Sequence, residues 1–253
     1  MLKSLIARLF AGRRTGESLP EAPKPPPVFA GRPVIDGGRC TGCGVCSGVC
    51  PTGALTVDGQ GTAMDIGKCL FCRECEEACP TGAIVFSREH RLAASEREEL
   101  IVRSGGEAAP RFPGNGEFMK RRGKPLKLWV ISTGGCAACG LDFSVSGTAA
   151  WERFGIQAAA SPKHADCLLI TGPVNRAMHP ELRKVLEEAP HPPVIIACGS
   201  CAVSGGLYAA GPEGGSGAAG IVKPDLWIPG CPPHPATVLE GILGLMDRSA
   251  AAG

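Results

Sequence analysis

The chain has 253 residues, 44 % of them hydrophobic, which allows one large or two modest domains with a core of their own. A net charge of +2 argues neither for nor against nucleic acid, and 5 % aromatic residues leave few rings for base stacking, so no nucleic-acid partner is expected. Fourteen cysteines would suit a secreted disulfide scaffold, but their C-x2-C-x2-C spacings serve metal or cluster ligation, which calls for a reducing compartment such as the cytoplasm.

In chain order, Met1–Phe10 is amphipathic, with Leu2, Leu5, Ile6, Leu9 and Phe10 set against Lys3 and Arg8. A short helix lying on a partner or a membrane surface is expected there. Arg13-Arg14 is followed by Thr-Gly-Glu-Ser and not by an apolar run, so no signal peptide is expected. No stretch reaches the roughly 18–20 apolar residues of a membrane span. Pro20, Pro23, Pro25, Pro26, Pro27 and Pro33 make an extended tether, so residues 1–33 are helix and tether.

Residues 34–88 hold one pattern twice, offset by 29 residues. Cys40, Cys43, Cys46, Cys50 and Pro51 form the first copy; Cys69, Cys72, Cys75, Cys79 and Pro80 form the second. Each reads C-x2-C-x2-C-x3-C-P, the run that wraps a 4Fe–4S cube, whose fourth cysteine serves the other cube when two are present. The expected sets are therefore Cys40, Cys43, Cys46 and Cys79 for one cluster, and Cys50, Cys69, Cys72 and Cys75 for the other. Each half reads as a cluster loop, a helical turn and a short strand, an α+β domain of the bacterial two-cluster ferredoxin type. Where the first loop has Gly42, Gly44 and Gly48, the second is bulkier and more polar, with Phe71, Arg73, Glu74, Glu76 and Glu77. The two clusters should therefore differ in potential. Residues 89–126 read as a basic, solvated linker with a helical patch over 95–103.

From Lys127 the pattern alternates: strand 127–132, helix 143–154, buried strand 167–171, helix 180–188, strand 193–197, strand 226–228 and helix 235–247. This predicts an α/β domain over 127–253 with a parallel sheet. Sites in such sheets lie beyond the carboxyl ends of the strands. Cys136 and Cys139 follow the first strand, Cys201 follows the strand ending at Ala197, and Cys231 follows the strand 226–228. Four thiolates from three strand ends suit zinc or an iron–sulfur cluster equally; the neighbouring cluster runs favour the latter. Cys167 and Cys198 lie in apolar strands and read as packing residues. His164 and His234 read as capping or structural histidines. Asn175 and Arg176 follow a strand end and can face the site or a partner. The glycine-rich run 211–220 lacks the Lys-Ser/Thr of a phosphate loop and reads as a flexible loop. No catalytic nucleophile–base pair stands out.

Gly-Cys136-x-x-Cys139, Thr171-Gly-Pro-Val-Asn-Arg-Ala-Met178, Gly199-Ser-Cys-Ala-Val-Ser-Gly-Gly206 and Pro229-Gly-Cys-Pro-Pro-His-Pro235 together resemble the small subunit of membrane-bound NiFe hydrogenases and the homologous twenty-kilodalton subunit of complex I. Residues 1–88, with the Met-Leu-Lys start and Arg32-Pro-Val-Ile-Asp36, resemble the two-cluster ferredoxin subunit of formate hydrogenlyase and complex I. The likeness covers nearly all of the chain except 89–126. It implies a fusion of two neighbouring subunits, with a flavodoxin-like second domain of the hydrogenase small-subunit type. It also implies a third 4Fe–4S cluster on Cys136, Cys139, Cys201 and Cys231. Complex I subunits carry two adjacent cysteines in the first loop and hydrogenase small subunits Cys-x-x-Cys, as here, which favours the formate-hydrogenlyase-like side. Asp142 falls where that family usually has glutamate; its plain alternative is a helix N-cap.

The function implied is an electron-transfer subunit that relays electrons through three 4Fe–4S clusters to or from a NiFe-hydrogenase-like large subunit. Membrane subunits and an electron donor or acceptor protein would be further partners, and the place a peripheral one on the cytoplasmic side of the inner membrane. Two alternatives stand beside it. One is a complex I-like (NADH:quinone oxidoreductase-related) subunit with a complex I-like large subunit. The other is a free ferredoxin-type carrier with a zinc-stabilised C-terminal domain.

Overall fold

The structure, a computed structural model, describes residues 26, 28–59, 61–106, 125–145, 151–190 and 193–246. The expected N-terminal helix, most of the tether and the basic residues 107–124 lie outside the described residues.

The repeat folds as two copies of loop, helical turn and strand. Strand β1 (Pro33–Ile35) opens the domain, followed by α1 (Val45–Val49), β2 (Leu55–Asp58) and β3 (Gly61–Asp65); the second copy supplies α2 (Glu74–Glu77) and β4 (Ile84–Phe86). β1 pairs antiparallel with β4, and β2 with β3. Glycines at 42 and 44 take positive φ of 69° and 75°, and Phe71 and Arg73, 29 residues on, take nearly the same values, 57° and 70°. The backbone path is thus retained where glycine is not, against a cost of about 1–2 kcal/mol for each such residue. Both side chains find contacts that offset it: the Phe71 ring packs edge-on against Phe86, and Arg73 pairs with Glu76.

Residues 89–106 depart from the expected linker. After a single 3₁₀ turn, Arg97–Leu100, strand β5 (Ile101–Arg103) pairs antiparallel with β3 and completes a three-stranded sheet. Leu92, Ala93, Ala94, Leu100 and Val102 are buried. The helical patch fails because β-branched Ile101 and Val102 find a half-buried strand edge, which suits them better than a helix. Arg97 forks onto Asp65, with Nη1 to Oδ1 at 2.8 Å and Nη2 to Oδ2 at 2.6 Å, and Asp65 also accepts the Gly67 N–H. The pair fastens the 3₁₀ turn to the stretch leading into Cys69. We expect Arg97→Ala to cost about 1–2 kcal/mol, less than a fully buried fork because both groups are partly exposed; a urea midpoint equal to that of the parent protein would refute this.

The second half is a five-stranded parallel sheet: β6 (Leu126–Ser132), β7 (Ile156–Ala158), β8 (Cys167–Thr171), β9 (Val194–Cys198) and β10 (Leu226–Ile228), in the order β10-β9-β8-β6-β7. The unbroken apolar runs of β8 and β9 are those of strands covered on both faces. Helices bounded within the described residues of this half are α3 (Ala138–Val145), α4 (His179–Glu188), α5 (Ser200–Ser204) and α6 (Pro235–Leu245). Helix α3 begins five residues before its expected start. Asp142 therefore lies inside it and is not an N-cap. Positive φ at Gly134, Gly135 and Ala137 turns the chain sharply after β6 and starts the helix early.

One apolar core joins the halves. Ile35, Leu55, Met64, Ile84 and Leu100 belong to the same buried cluster as Leu168, Ile170, Ile195 and Trp227 on one face of the parallel sheet. The alternate residues Cys167, Leu169 and Ile196 pack on the other face with Val238 and Ile242 of α6. Ala94 exchanges both backbone hydrogen bonds with Trp227, at 2.9 and 2.8 Å, and so covers the β10 edge. The run 211–220 is mostly exposed but anchored at one point: the Gly217 N–H donates to the Pro173 carbonyl, and Ala218 is fully buried.

Candidate functional site: three cysteine sets

None of the fourteen cysteines is joined in a disulfide. Cys40, Cys43, Cys46 and Cys79 line one cavity, with Thr62 and Ile84 among its walls. Cys50, Cys69, Cys72 and Cys75 line a second, against Leu55, Met64 and Phe86. Each cavity takes three cysteines from one run and the fourth from the other, because α1 and α2 turn each fourth cysteine toward its counterpart loop.

Backbone donors aim at several sulfurs. The Ala54 N–H lies 3.2 Å from Cys50 Sγ, that of Phe71 3.3 Å from Cys69 Sγ, and that of Ala83 3.3 Å from Cys79 Sγ. Thr62, itself buried, places its hydroxyl 3.2 Å from Cys40 Sγ. At Cys69 and Cys79 the donated bonds favour thiolate over thiol. At Cys79 burial raises the thiol, but the Ala83 N–H and the Thr81 hydroxyl outweigh it and bring it down to about 7.

The third set forms at the carboxyl edge of the parallel sheet. Ser132 pairs with Thr171, Thr171 with Cys198, and Cys198 with Ile228, so four strand ends stand in one row. The chain leaves that row four times. After β6 it carries Cys136 and then Cys139 in the first turn of α3; after β9 it carries Cys201 in α5; after β10 it carries Cys231. After β8 come Pro173 and Asn175, whose carboxamide accepts the Met178 N–H and crowds Gly134. Burial pushes the Cys139 thiol up to about 12, and Cys201, Cys231 and Cys136 add to the effect by their proximity. Cys201 rises to about 11 through burial, then Cys231 and Cys136. A glycine at 199 is required: with φ of 94°, an added Cβ would stand 2.6 Å from Cys139 Sγ.

These sets fit iron–sulfur clusters on the chemistry of their donors. Burial pushes Cys69 up to about 12 and Cys75 up to about 11, so thiolates there are costly without a cationic centre among them. An iron centre takes its cysteines as thiolates and removes that cost. Among the described residues, no three His, Cys, Asp or Glu side chains are arranged to hold a single metal ion.

Other expected residues fall into place. Cys167 and Cys198 are buried strand residues, Cys198 close enough to feel Cys139. His164, in a 3₁₀ turn ahead of β8 and hence at the opposite edge of the sheet, takes Ser161 as partner. His234 caps α6 by accepting the Ala236 N–H and packs against Phe29 of the tether. Arg176 opens the 3₁₀ turn after Asn175. Between the second and third sets lies an open cavity of about 350 Å³, lined by Phe29, Phe71, Arg73, Asp142, Cys231 and His234 among others. Ser200 is the residue that sequence reasoning missed. Its hydroxyl contacts the Cys69 carbonyl, 131 residues away, and no spacing signals a bond of that span.

Among the described residues no helix is long and apolar enough to cross a membrane. The family model for the NADH ubiquinone oxidoreductase 20 kDa subunit matches residues 136–245, and a 4Fe-4S dicluster domain model matches residues 39–83. The chain is 35 % identical over 144 residues to an NADH-quinone oxidoreductase subunit of Desulfovibrio desulfuricans, covering 54 % of this chain and 78 % of that one. It is 33 % identical over 126 residues to the probable membrane-bound hydrogenase subunit mbhJ of Pyrococcus furiosus, covering 48 % and 75 %. To formate hydrogenlyase subunit 7 of Escherichia coli it is 37 % identical over 140 residues, covering 53 % and 55 %.

Proposed function

The chain belongs to the NADH ubiquinone oxidoreductase 20 kDa subunit family and carries a 4Fe-4S dicluster domain ahead of that region, and on that premise we propose that it is an electron-transfer subunit with three 4Fe–4S clusters. Cys40, Cys43, Cys46 and Cys79 would hold the first, Cys50, Cys69, Cys72 and Cys75 the second, and Cys136, Cys139, Cys201 and Cys231 the third. When bound, such clusters supply one-electron carriers whose potentials follow charge, hydrogen bonding and exposure. The protein's part is to hold thiolates with backbone N–H groups, to exclude water from the deeper cysteines and to keep the two halves in one rigid body.

The observation that carries this reading is the placement of α5. That helix bears Cys201 and packs directly on the loop bearing Cys69, so a relay through the chain needs no moving part. The strand order, 2-1-3-4-5 when the parallel strands are numbered along the chain, supports a flavodoxin-like second domain of the hydrogenase small-subunit type. The Cys136-x-x-Cys139 spacing supports the energy-converting NiFe hydrogenase or formate-hydrogenlyase side. On that reading the partners are a catalytic large subunit, membrane subunits and a donor or acceptor protein, and the chain sits peripherally on the cytoplasmic face of the inner membrane. Affinity purification of the native complex tests this: we expect a co-purifying large chain with two Cys-x-x-Cys pairs and bound nickel and iron. A large chain without those pairs removes the hydrogenase assignment and favours the complex I-like alternative.

A further inference from the structure

We propose that Ser200 is a positioning residue for transfer between the second and third cysteine sets, holding the loop of Cys69 at a set distance from the helix of Cys201. The proposal rests on the reading that both sets bind clusters. Ser200 is buried, at 1 % exposure. Its hydroxyl donates to the Cys69 carbonyl at 2.7 Å and lies 3.1 Å from the Gly230 carbonyl, which also accepts the Ser200 N–H at 2.8 Å. A serine has one hydroxyl proton, so the shorter contact to Cys69 takes most of it. The three segments meeting at this side chain each bear a cysteine of a candidate site: Cys69 itself, Cys201 next to Ser200, and Cys231 next to Gly230.

One turn on, the Ser204 hydroxyl lies 3.2 Å from the Gly67 carbonyl and 2.9 Å from the Ser200 carbonyl. Gly67 sits so close to α5 that an added Cβ would come 2.7 Å from Val203 Cγ1. Two hydroxyls and this close packing fix the loop 67–69 on α5. From Cys69 to Cys201 the path is one carbonyl, one hydrogen bond, one short side chain and one peptide bond. No bond forms or breaks at Ser200; it sets distance and coupling. Without its hydroxyl the Cys69 carbonyl loses its donor, and the loop can shift away from α5.

The test uses the full chain reconstituted with iron and sulfide and reduced with dithionite, as parent, Ser200→Ala and Ser200→Thr. Iron per chain, the magnetic interaction between the reduced second and third centres, and amide exchange over 67–72 are measured. We expect Ser200→Ala to keep its iron, lose most of the magnetic interaction and exchange these amides about tenfold faster, with Ser200→Thr restoring both. If Ser200→Ala does not retain iron, Ser204→Ala releases the same loop at Gly67 and is judged by the same readouts. Unchanged coupling and exchange overturn the proposal. A parent protein with about eight iron and a zinc would instead remove the third cluster, and amide exchange alone would then decide whether Ser200 holds the loop.

Discussion

Replacing Cys201 by alanine is expected to lower the iron content of the reconstituted chain from about twelve to about eight atoms, with acid-labile sulfide falling in step. Cys201 lies in α5, its thiol pushed up to about 11 by burial and by Cys231 and Cys136. With three thiolates left, one iron of the third cube lacks a protein thiolate, and the cube should fail to assemble or be lost. The other eight cysteines occupy two separate cavities in the first half and should keep their clusters. Alanine retains the Cβ and the helical backbone, so the shared core should be undisturbed. Parent protein holding about eight iron and one zinc would sink the cluster assignment and restore the zinc-stabilised carrier. Unchanged iron together with an unchanged spectrum of the reduced third centre would show that Cys201 is not a ligand.

Gly199→Ala should be nearly as damaging to that site, although position 199 carries no donor. Its φ of 94° and ψ of 152° lie in a region open almost only to glycine, where a side chain costs about 1–3 kcal/mol. The new methyl would also stand 2.6 Å from Cys139 Sγ, so that sulfur must move from its place in the third set. Loss of about four iron per chain and a lower melting temperature are expected. Gly59→Ala makes the control: it lies exposed in the turn between β2 and β3, in none of the cysteine loops, and its Cβ meets no protein atom within 4 Å, so iron and melting temperature should stay put. If Gly199→Ala kept parental iron content, the crowding argument for the third set would be wrong.

The first half was legible because a cysteine run is a local signal. Cys40 to Cys50 and Cys69 to Cys79 each fit within one loop and turn, and their 29-residue offset foretold two equivalent backbone paths. The strands β8 and β10 were legible for a related reason, since an apolar run covered on both faces needs no partner to declare itself. Strands β3, β5 and β7 were not. They have three to five residues, too few for a period, and their pairing decides them: β5 exists because β3 offers an edge and a buried slot for Val102. For the same reason 89–106 read as linker, when its small apolar residues cover the seam between the halves.

Residue spacing along the chain could say which cysteines belong to the first two sets, because a handful of bonds limits how far those thiols can part. It could not say that Ser132, Thr171, Cys198 and Ile228 end in one row, which depends on the register of parallel strands joined by long crossovers. Nor could it bring Ser200 to Cys69, since that contact exists only after two separate stretches of chain bury a common apolar face. Covalent neighbours are restrained by geometry alone, whereas distant ones meet only where burying both outweighs the entropy of ordering the chain between them.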